Sequence, residues 1–273
     1  MKYINKYSNT HEQLEYMQSL TGEDKYNALN EIIADSKRIL FFGGAGVSTE
    51  SGIPDFRSKD GLYNQHDVQF DMYQPEYLLS RECLYHNPKV FFEFYRQKMN
   101  VEGIKPNRAH YKLAEMEQKG KLLGVITQNI DGLHQKAGSK KVYEIHGTTL
   151  KNYCTKCGAE LPSDYIFKNT DPIPRCNCLN ANGKICNGMV RPDVTLYGEN
   201  LPHAFVEASD LVLSADCLIV GGTSLTVFPA AGIVSNFHGK YLIIIAKDGT
   251  DYDSYADLAF NESIGDVFEK III

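Results

Sequence analysis

The sequence predicts an α/β fold built on a doubly wound, mainly parallel sheet with one small insert. Short apolar segments, each of the length of a buried strand, alternate along the chain with segments of helical periodicity. Several apolar segments end in glycine and polar residues, as strands do when their carboxyl ends line a binding site. The alternation stops between residues 151 and 189, where a cysteine-rich stretch with little periodicity takes its place.

The predicted strands are apolar runs bounded by turn residues, and they cover residues 39–42, 122–127, 142–145, 191–199, 217–220 and 241–246. The predicted helices cover residues 23–33, 90–95, 107–119, 202–208 and 264–273, with helix starts near Pro75 and Pro229. Residues 1–22 are polar and are taken as an N-terminal extension. The main domain then comprises residues 23–150 and 190–273, and the small domain comprises residues 151–189.

Composition excludes several classes of function. The chain has 273 residues, of which 43% are hydrophobic and 23% are charged, as in an ordinary globular protein. Its longest apolar run, residues 241–246, is far shorter than the roughly 20 residues of a membrane-spanning helix, so no membrane partner is expected. The N-terminus lacks the apolar segment of a secretory signal. A net charge of −6 argues against nucleic acid as the main partner, and the oligomeric state stays open.

A glycine-rich stretch follows the first predicted strand. Gly43 and Gly44 let the backbone turn tightly and approach a ligand, and the residues after Gly46 suit the start of a helix. A strand, a glycine turn and a helix N-terminus together predict an anion site with free N–H groups. The usual dehydrogenase fingerprint does not fit, because it needs glycine where Thr49 stands and an acidic residue about 20 positions later.

Polar residues also follow the predicted strands 122–127, 142–145 and 217–220. Because the carboxyl ends of parallel strands meet at one edge of a sheet, these residues are site candidates by position. They are Gln128, Asn129, Asp131, His146, Gly222, Thr223 and Ser224. A single histidine is more often structural than catalytic, but the position of His146 after two other polar strand ends favours a catalytic role.

The cysteine pattern predicts a structural metal site. The chain has seven cysteines, and Cys154, Cys157, Cys176, Cys178 and Cys186 lie close together in the insert. This clustering argues against a chain-wide disulfide framework and for a metal in a reducing compartment, the cytoplasm. Four thiolates complete a tetrahedral zinc site and leave no open position for catalysis, so the predicted zinc is structural. The spacing alone does not decide which four of the five cysteines are the ligands.

Five separated motifs resemble those of the sirtuins, the NAD-dependent protein-lysine deacylases. They are G-A-G-V-S-T-E-S-G-I-P-D-F-R at 44–57, T-Q-N-I-D-G-L-H at 127–134, E-I-H-G at 144–147, R-P-D-V-T-L-Y-G-E at 191–199 and G-T-S-L at 222–225. With the cysteine insert, the resemblance covers roughly residues 28–270. It implies a Rossmann-like sheet, NAD as co-substrate, structural zinc, and acyl-lysine proteins or peptides as substrates of a bacterial-type deacetylase.

The resemblance also implies roles for single residues. His146 would be the general base and Asn129 would assist it, while Val194, Thr195, Leu196 and Tyr197 would pair with the peptide backbone. The residues that the resemblance assigns to NAD are Gly44, Ala45, Gly46, Ser48, Ile53, Asp55, Phe56, Arg57, Gln128, Asn129, Asp131, His146, Gly222, Thr223, Ser224, Ala246 and Lys247. Residues flanking the cysteines favour Cys154, Cys157, Cys176 and Cys186 as the zinc ligands, with Cys178 as a contender for the third.

The sequence departs from the family pattern in two further places. Ala246 stands where sirtuins usually have an asparagine that contacts the adenosine ribose. Tyr95 is followed by Lys98, whereas sirtuins that prefer acidic acyl groups have Tyr-x-x-Arg, so small neutral acyl groups are expected.

Three other functions compete with the deacetylase. A sirtuin-like ADP-ribosyltransferase or an NAD hydrolase would use the same pocket, but the intact peptide-binding segment favours a lysine substrate. A non-catalytic NAD-sensing module would not need His146. A Rossmann dehydrogenase is disfavoured by the position of Thr49 and by the missing acidic residue.

Overall fold

The computed structural model describes residues 2–65, 67–179 and 182–273, which form two sheets with helices around them. The strands described are β1 (Ile39–Gly43), β2 (Leu122–Thr127), β3 (Val142–Glu144), β4 (Gly147–Cys154), β5 (Glu160–Leu161), β6 (Val190–Val194), β7 (Cys217–Gly221), β8 (Tyr241–Ile245) and β9 (Leu258–Phe260). The α-helices described are α1 (Thr10–Ser19), α2 (Gly22–Asp35), α3 (Pro75–Leu78), α4 (Arg81–His86), α5 (Pro88–Lys98), α6 (Arg108–Gln118), α7 (Leu133–Ala137), α8 (Tyr165–Lys168), α9 (His203–Ser214), α10 (Gly232–Ser235) and α11 (Ile264–Glu269).

The main sheet has the strand order β3-β2-β1-β7-β8-β9, and each neighbouring pair is parallel. This order confirms the predicted doubly wound parallel sheet, although the short strand β9 was not predicted. The chain continues to β2 and β3 on one side of β1, and to β7, β8 and β9 on the other. Ligands of such sheets bind outside the carboxyl ends of the strands where the order reverses. The ends of β1, β2 and β7 therefore mark the expected site.

The core lies on both faces of this sheet. Phe41 of β1 packs in one apolar cluster with buried residues of α1, α2, α6 and α11. Its neighbour Phe42 packs in another cluster, on the opposite face, with residues of α9 and α10. Successive side chains of a strand point to opposite faces, so a fully apolar run such as β1 fits a strand covered on both sides.

The second sheet has the order β5-β4-β6, and its pairs are antiparallel. The prediction that the main sheet resumes at residue 191 is therefore wrong, because β6 pairs with β4 instead. Gly147, the first residue of β4, lets β4 and β6 come close together. Its φ is +77°, and a Cβ at this position would lie 2.2 Å from the carbonyl oxygen of Asp193. Only glycine lets the two strands approach here. The boundaries proposed for the domains stay a prediction.

The N-terminal extension forms a regular element. Asn9 caps α1 by accepting hydrogen bonds from the N–H groups of His11 and Glu12. Tyr3, Ile4 and Met17 are buried in the same apolar cluster as α2. The N-terminal extension is therefore anchored to the core by these side chains, although most of its other residues are exposed.

The expected helix start after Gly46 is also corrected. The chain makes two short 3₁₀ turns, Ala45–Val47 and Thr49–Ser51, and the second ends at Gly52 with a φ of +90°. Pro54 follows closely and favours an extended residue before it, which is consistent with a chain that does not continue as a helix. Elsewhere α9 extends beyond the predicted residue 208, and α11 ends before the predicted residue 273.

Candidate active site between the two sheets

The loops after β1 and β7 are in close backbone contact. The N–H groups of Gly44 and Gly46 donate to the carbonyl oxygens of Gly221 and Gly222, at 3.1 and 2.8 Å. A Cβ on Gly46 would lie 2.8 Å from Cα of Gly222. The glycines let the two loops approach each other closely, and the N–H groups of Gly44 and Gly46 are not free, contrary to the expected anion site. Ala45 lies between them at the start of the first 3₁₀ turn.

Three side chains behind this loop form a buried hydrogen-bonded network. The Ser48 hydroxyl donates to a carboxylate oxygen of Asp131 at 2.6 Å and accepts a bond from the Asn129 amide at 3.1 Å. Burial raises the pKa of Asp131, while the bonds from Ser48 and from the Leu133 N–H lower it. The network fixes the orientation of the Asn129 amide and the Asp131 carboxylate. Ile53 is also tied to it, because its N–H donates to the Ser48 carbonyl at 3.3 Å.

His146 lies between β3 and β4, where the chain passes from the main sheet to the second sheet. Its Nδ1 is 3.0 Å from the carbonyl oxygen of Gln128. A carbonyl only accepts hydrogen bonds, so Nδ1 carries the proton and Nε2 is left to accept one. Burial lowers the pKa of His146, while the bond to Gln128 opposes this shift. The ring is therefore a neutral base at pH 7.

Gln128 also connects the ends of β2 and β7. Its side-chain amide donates to the Thr223 hydroxyl at 3.0 Å. The Ser224 hydroxyl, next along the loop, is exposed and lies 2.9 Å from the Thr226 hydroxyl. The candidates after the three strands thus meet at one edge of the sheet.

Residues 55–64, named here the cofactor loop, close on themselves beside this edge. Asp55 accepts bonds from the N–H groups of Arg57 and Ser58 through one carboxylate oxygen, at 3.0 and 2.7 Å. The Phe56 ring packs on Tyr63 with a centroid distance of 5.3 Å. The loop therefore presents Phe56 and Arg57 from a fixed turn.

The predicted adenosine end of the site comprises Ala246 and Lys247. Ala246 is almost buried, and its N–H donates to the Phe260 carbonyl at 3.0 Å. Lys247 is exposed. Ala246 therefore offers only a methyl side chain where sirtuins have an amide.

Residues 194–197, named here the substrate segment, are held at both ends. The N–H of Thr195 donates to the His146 carbonyl at 2.8 Å, and Tyr197 forms a parallel bridge with Ser80. Arg191 donates from Nη2 to the Val194 carbonyl at 2.8 Å and to a carboxylate oxygen of Glu199 at 2.9 Å. The sequence analysis gave no role to this ion pair. The signal in the sequence was two opposite charges, Arg191 and Glu199, eight positions apart on either side of the substrate segment.

The structure brings together the four cysteines that the resemblance favoured. The ligand atoms of Cys154, Cys157, Cys176 and Cys186 all lie within 4.8 Å of one another, and Cys178 is not among them. The Sγ atoms are 3.7 Å apart for Cys154 and Cys186, and 3.8 Å apart for Cys157 and Cys176. A tetrahedral zinc with Zn–S bonds of about 2.3 Å separates its sulfur atoms by about 3.8 Å. The four thiols therefore fit a structural zinc ion.

The two residues of the acyl-group prediction are engaged in the fold. Tyr95 is fully buried between the rings of Phe91 and Phe167, and Lys98 forms an ion pair with Asp67 at 3.4 Å. The preference for small neutral acyl groups stays a prediction.

The fold and the site first define a class: an α/β protein with a glycine-lined cradle at the strand ends, a neutral histidine at a strand end and a four-cysteine cluster that fits zinc. The chain belongs to the Sir2 family, whose sequence profile matches residues 44–229. It is 51% identical over 250 residues to the NAD-dependent protein deacetylase of Clostridium acetobutylicum. The alignment covers 91% of this chain and 98% of that protein.

Solved Sir2 structures share the fold. One is described as Sir2 with a p53 peptide and NAD+; its TM-score is 0.76 at 35% identity, covering 89% of this chain and 95% of that one. Another is described as Sir2 with a deacetylated p53 peptide and 3′-O-acetyl ADP ribose; its TM-score is 0.79 at 34% identity, covering 89% and 96%. The resemblance to sirtuins is confirmed.

Proposed function

We propose that this protein is an NAD-dependent protein-lysine deacetylase. It transfers the acyl group of an acyl-lysine side chain to the ADP-ribose part of NAD and releases nicotinamide and O-acyl-ADP-ribose. The relative from Clostridium acetobutylicum has this activity in its name, and the two solved relatives are described with an NAD+ and with an acetyl ADP ribose ligand.

One observation carries the proposal: a neutral histidine is joined directly to the segment that would bind the peptide. The carbonyl of His146 accepts the N–H of Thr195, and its ring is oriented by the Gln128 carbonyl. A base that is hydrogen-bonded to the substrate-binding segment is in a position to act on a substrate held by that segment. A binding module or a sensor has no need of this arrangement.

The glycine cradle supports binding of NAD. Gly44, Gly46 and Gly222 meet where any Cβ would clash, so the ends of β1 and β7 approach closely enough to flank a pyrophosphate. Bound NAD supplies the ribose C1′ that accepts the acyl oxygen when the bond to nicotinamide breaks.

The chain's own residues would hold and deprotonate the reactants. Nε2 of His146 takes a proton from a ribose hydroxyl, and burial keeps the ring neutral for this task. Asp131 binds the nicotinamide carboxamide near Ile53, and Asn129 and Gln128 hold the ribose and a water. Ala45, Gly46 and Ser48 surround the phosphates, while Gly222, Thr223 and Ser224 bind the adenosine side.

The remaining roles are those that the resemblance to sirtuins implies. Phe56 and Arg57 cover the reacting ribose, and Ala246 and Lys247 lie beside the adenosine. Val194 to Tyr197 pairs with the extended acyl-lysine peptide, which adds a strand to this edge. Zinc at Cys154, Cys157, Cys176 and Cys186 holds the second sheet and takes no part in the chemistry.

No described helix combines the length and the apolar character that crossing a bilayer requires. We place the protein in the cytoplasm, because its zinc site needs four reduced cysteines and the described cysteines are all free thiols.

The test combines the purified protein with an acetyl-lysine peptide, with and without NAD. Mass spectrometry follows nicotinamide, the free-lysine peptide and O-acetyl-ADP-ribose in the same samples. We expect equal amounts of the three products, and only with NAD. His146→Ala should lower the rate by about 100- to 10,000-fold, the usual contribution of a general base, and should retain NAD binding.

His203→Ala is the matched control, because His203 is an exposed histidine on α9 whose ring lies 3.1 Å from the Glu207 carboxylate, on the same helix. It should leave the rate unchanged. Nicotinamide release without deacetylation would instead assign the protein as a transferase or hydrolase. If NAD is not consumed with peptides carrying any of several acyl groups, the protein would be assigned as a non-catalytic binding module.

A further inference from the structure

The hydroxyl of Tyr197 lies where the cofactor loop meets the substrate segment. Nη2 of Arg57 donates to it at 3.2 Å, and the hydroxyl of Tyr63 donates to it at 3.4 Å. Both donors belong to the cofactor loop, whereas Tyr197 is the last residue of the substrate segment. These bonds join two parts of the chain that are more than 130 positions apart.

The cofactor loop is held together by hydrogen bonds within itself. The N–H of Leu62 donates to the Asp55 carbonyl at 2.6 Å, and the N–H of Tyr63 donates to the Phe56 carbonyl at 2.9 Å. The Arg57 guanidinium lies over the Tyr63 ring at 5.8 Å. A contact at Arg57 and Tyr63 therefore positions the whole turn, including Phe56.

The other partner is fixed. The N–H of Tyr197 donates to the Leu79 carbonyl at 3.0 Å, and its carbonyl accepts the N–H of Arg81 at 2.9 Å. Two residues earlier, Thr195 is bonded to His146. Backbone hydrogen bonds thus connect the substrate segment to His146, and the Tyr197 side chain connects the same segment to the cofactor loop.

We propose that the Tyr197 hydroxyl is a positioning group that holds the cofactor loop closed over the NAD site. The inference rests on the proposed function, and it assigns the hydroxyl a task separate from peptide binding. The Tyr197 ring packs with the apolar cluster around α5, so a phenylalanine keeps that packing and removes only the loop contact. Peptide bound along the substrate segment would steady Tyr197 and with it the loop.

The first test measures the loop without any ligand. Amide hydrogen exchange of Leu62 and Tyr63 is compared in the wild type and in Tyr197→Phe. We expect exchange about fivefold to tenfold faster in the variant, the effect of losing a hydrogen bond of ordinary strength. Tyr77→Phe is the matched control, because Tyr77 lies beside the same cluster and its hydroxyl is bonded to Asn87. The control should leave the loop amides unchanged.

The second test separates positioning from a merely structural role. Tyr197→Phe should raise KM for NAD about fivefold to tenfold, with kcat within about twofold and with unchanged affinity for the acetyl-lysine peptide measured without NAD. In an Arg57→Ala background the Tyr197→Phe substitution should raise KM for NAD by at most about twofold more. The stronger donor to the Tyr197 hydroxyl is already absent there, so only the bond from Tyr63 remains to be lost.

Three results would overturn the inference: unchanged loop exchange, unchanged KM for NAD, or a loss of peptide affinity of the same size. A wild type that does not deacetylate would refute the proposed function instead. The exchange experiment needs no turnover, so the two failures are distinguishable.

Discussion

In the main sheet every residue of β1 is buried, and the strand is flanked by apolar clusters on both faces. In the second sheet, β4 leaves Leu150 and Lys151 exposed and buries polar residues such as Asn152. The main sheet can therefore draw its stability from apolar area removed from water. The second sheet has less of this area and depends on point contacts.

Those point contacts are the cysteines and one ion pair. Cys154, Cys176 and Cys186 are buried within the same apolar cluster as α5, so the metal site continues a small core rather than standing apart from it. Arg191 and Glu199 hold the substrate segment at the other end of β6. His146 lies between the two sheets, with its ring bonded to the Gln128 carbonyl after β2 and its own carbonyl bonded to Thr195 after β6.

Removal of zinc should produce the largest difference in stability between the two sheets. A structural zinc ion contributes about 10–16 kcal/mol to the folding of small metal-bound domains, far more than the few apolar contacts of the second sheet. Treatment with a chelator should remove the exchange protection of β4 and β6 and abolish deacetylation, while β1, β2 and β7 stay protected. Hydrogen exchange with a parallel zinc assay measures this. Equal loss of protection in both sheets would show that they fold as one unit.

Core truncations should sharpen the same contrast. Phe41 and Phe92 are both wholly buried, the first in the main core and the second in the cluster that contains the cysteines. Each phenylalanine-to-alanine change should lower the free energy of unfolding by about 3–5 kcal/mol. Phe41→Ala should keep full zinc content at room temperature, whereas Phe92→Ala should lose zinc. Denaturant unfolding with metal analysis tests this, and equal zinc loss in both variants would contradict it.

Two helices of the main domain, α6 and α7, should also carry an acid-sensitive pair of histidines. His110 and His134 are buried with ring centroids 4.7 Å apart, and neither nitrogen of His134 has a hydrogen-bond partner among the described residues. Burial lowers the pKa of His110 to about 4, against a small opposing effect of Glu50, and lowers the pKa of His134 well below its usual value. Both rings are therefore neutral in the folded protein.

The sign of the pH dependence follows from these shifts. Below about pH 6.5 the unfolded chain binds protons that the folded chain does not, so stability falls as pH falls, by about 1.4 kcal/mol per pH unit for each histidine. Above that pH the pair has no effect. Urea unfolding between pH 7.5 and 5.5 should show this dependence, and His134→Leu should remove the contribution of one histidine, at most about 1.4 kcal/mol per pH unit. A slope unaffected by His134→Leu would assign the acid sensitivity to other groups.

The sequence predicts the main sheet well and the second sheet poorly, for a physical reason. A run such as Ile39–Phe42 is buried on both faces, and burial is visible in the identity of each residue. Which strand a segment pairs with is not visible, because Val190–Val194 carries no mark of its partner β4. The sheet assignment at residue 191 failed on this point.

The candidate site likewise has features that the sequence predicts and features that it does not. Residues at strand ends, such as Gln128, Asn129 and Thr223, could be predicted because a parallel sheet brings its carboxyl ends together. The bonded N–H groups of Gly44 and Gly46 could not, because their acceptors lie in the loop after β7. The bond between Arg57 and Tyr197 is equally remote in sequence.

The smallest predicted effect concerns α1, which the sequence did not reveal because few of its residues are apolar. The side-chain amide of Gln18 donates to the carbonyl oxygens of Ser254 and Ala256, each at 3.0 Å. These residues precede β9 and follow the predicted adenosine end at Ala246. Gln18→Ala should lower stability by about 1 kcal/mol and should speed cleavage by protease between residues 247 and 257. Gln97→Ala on α5 is the control, because Gln97 bonds to the Gln69 side chain at 3.4 Å, away from this loop. If only the global stability changes and the cleavage rate of this loop does not, α1 supports the main core alone and has no influence on the adenosine end.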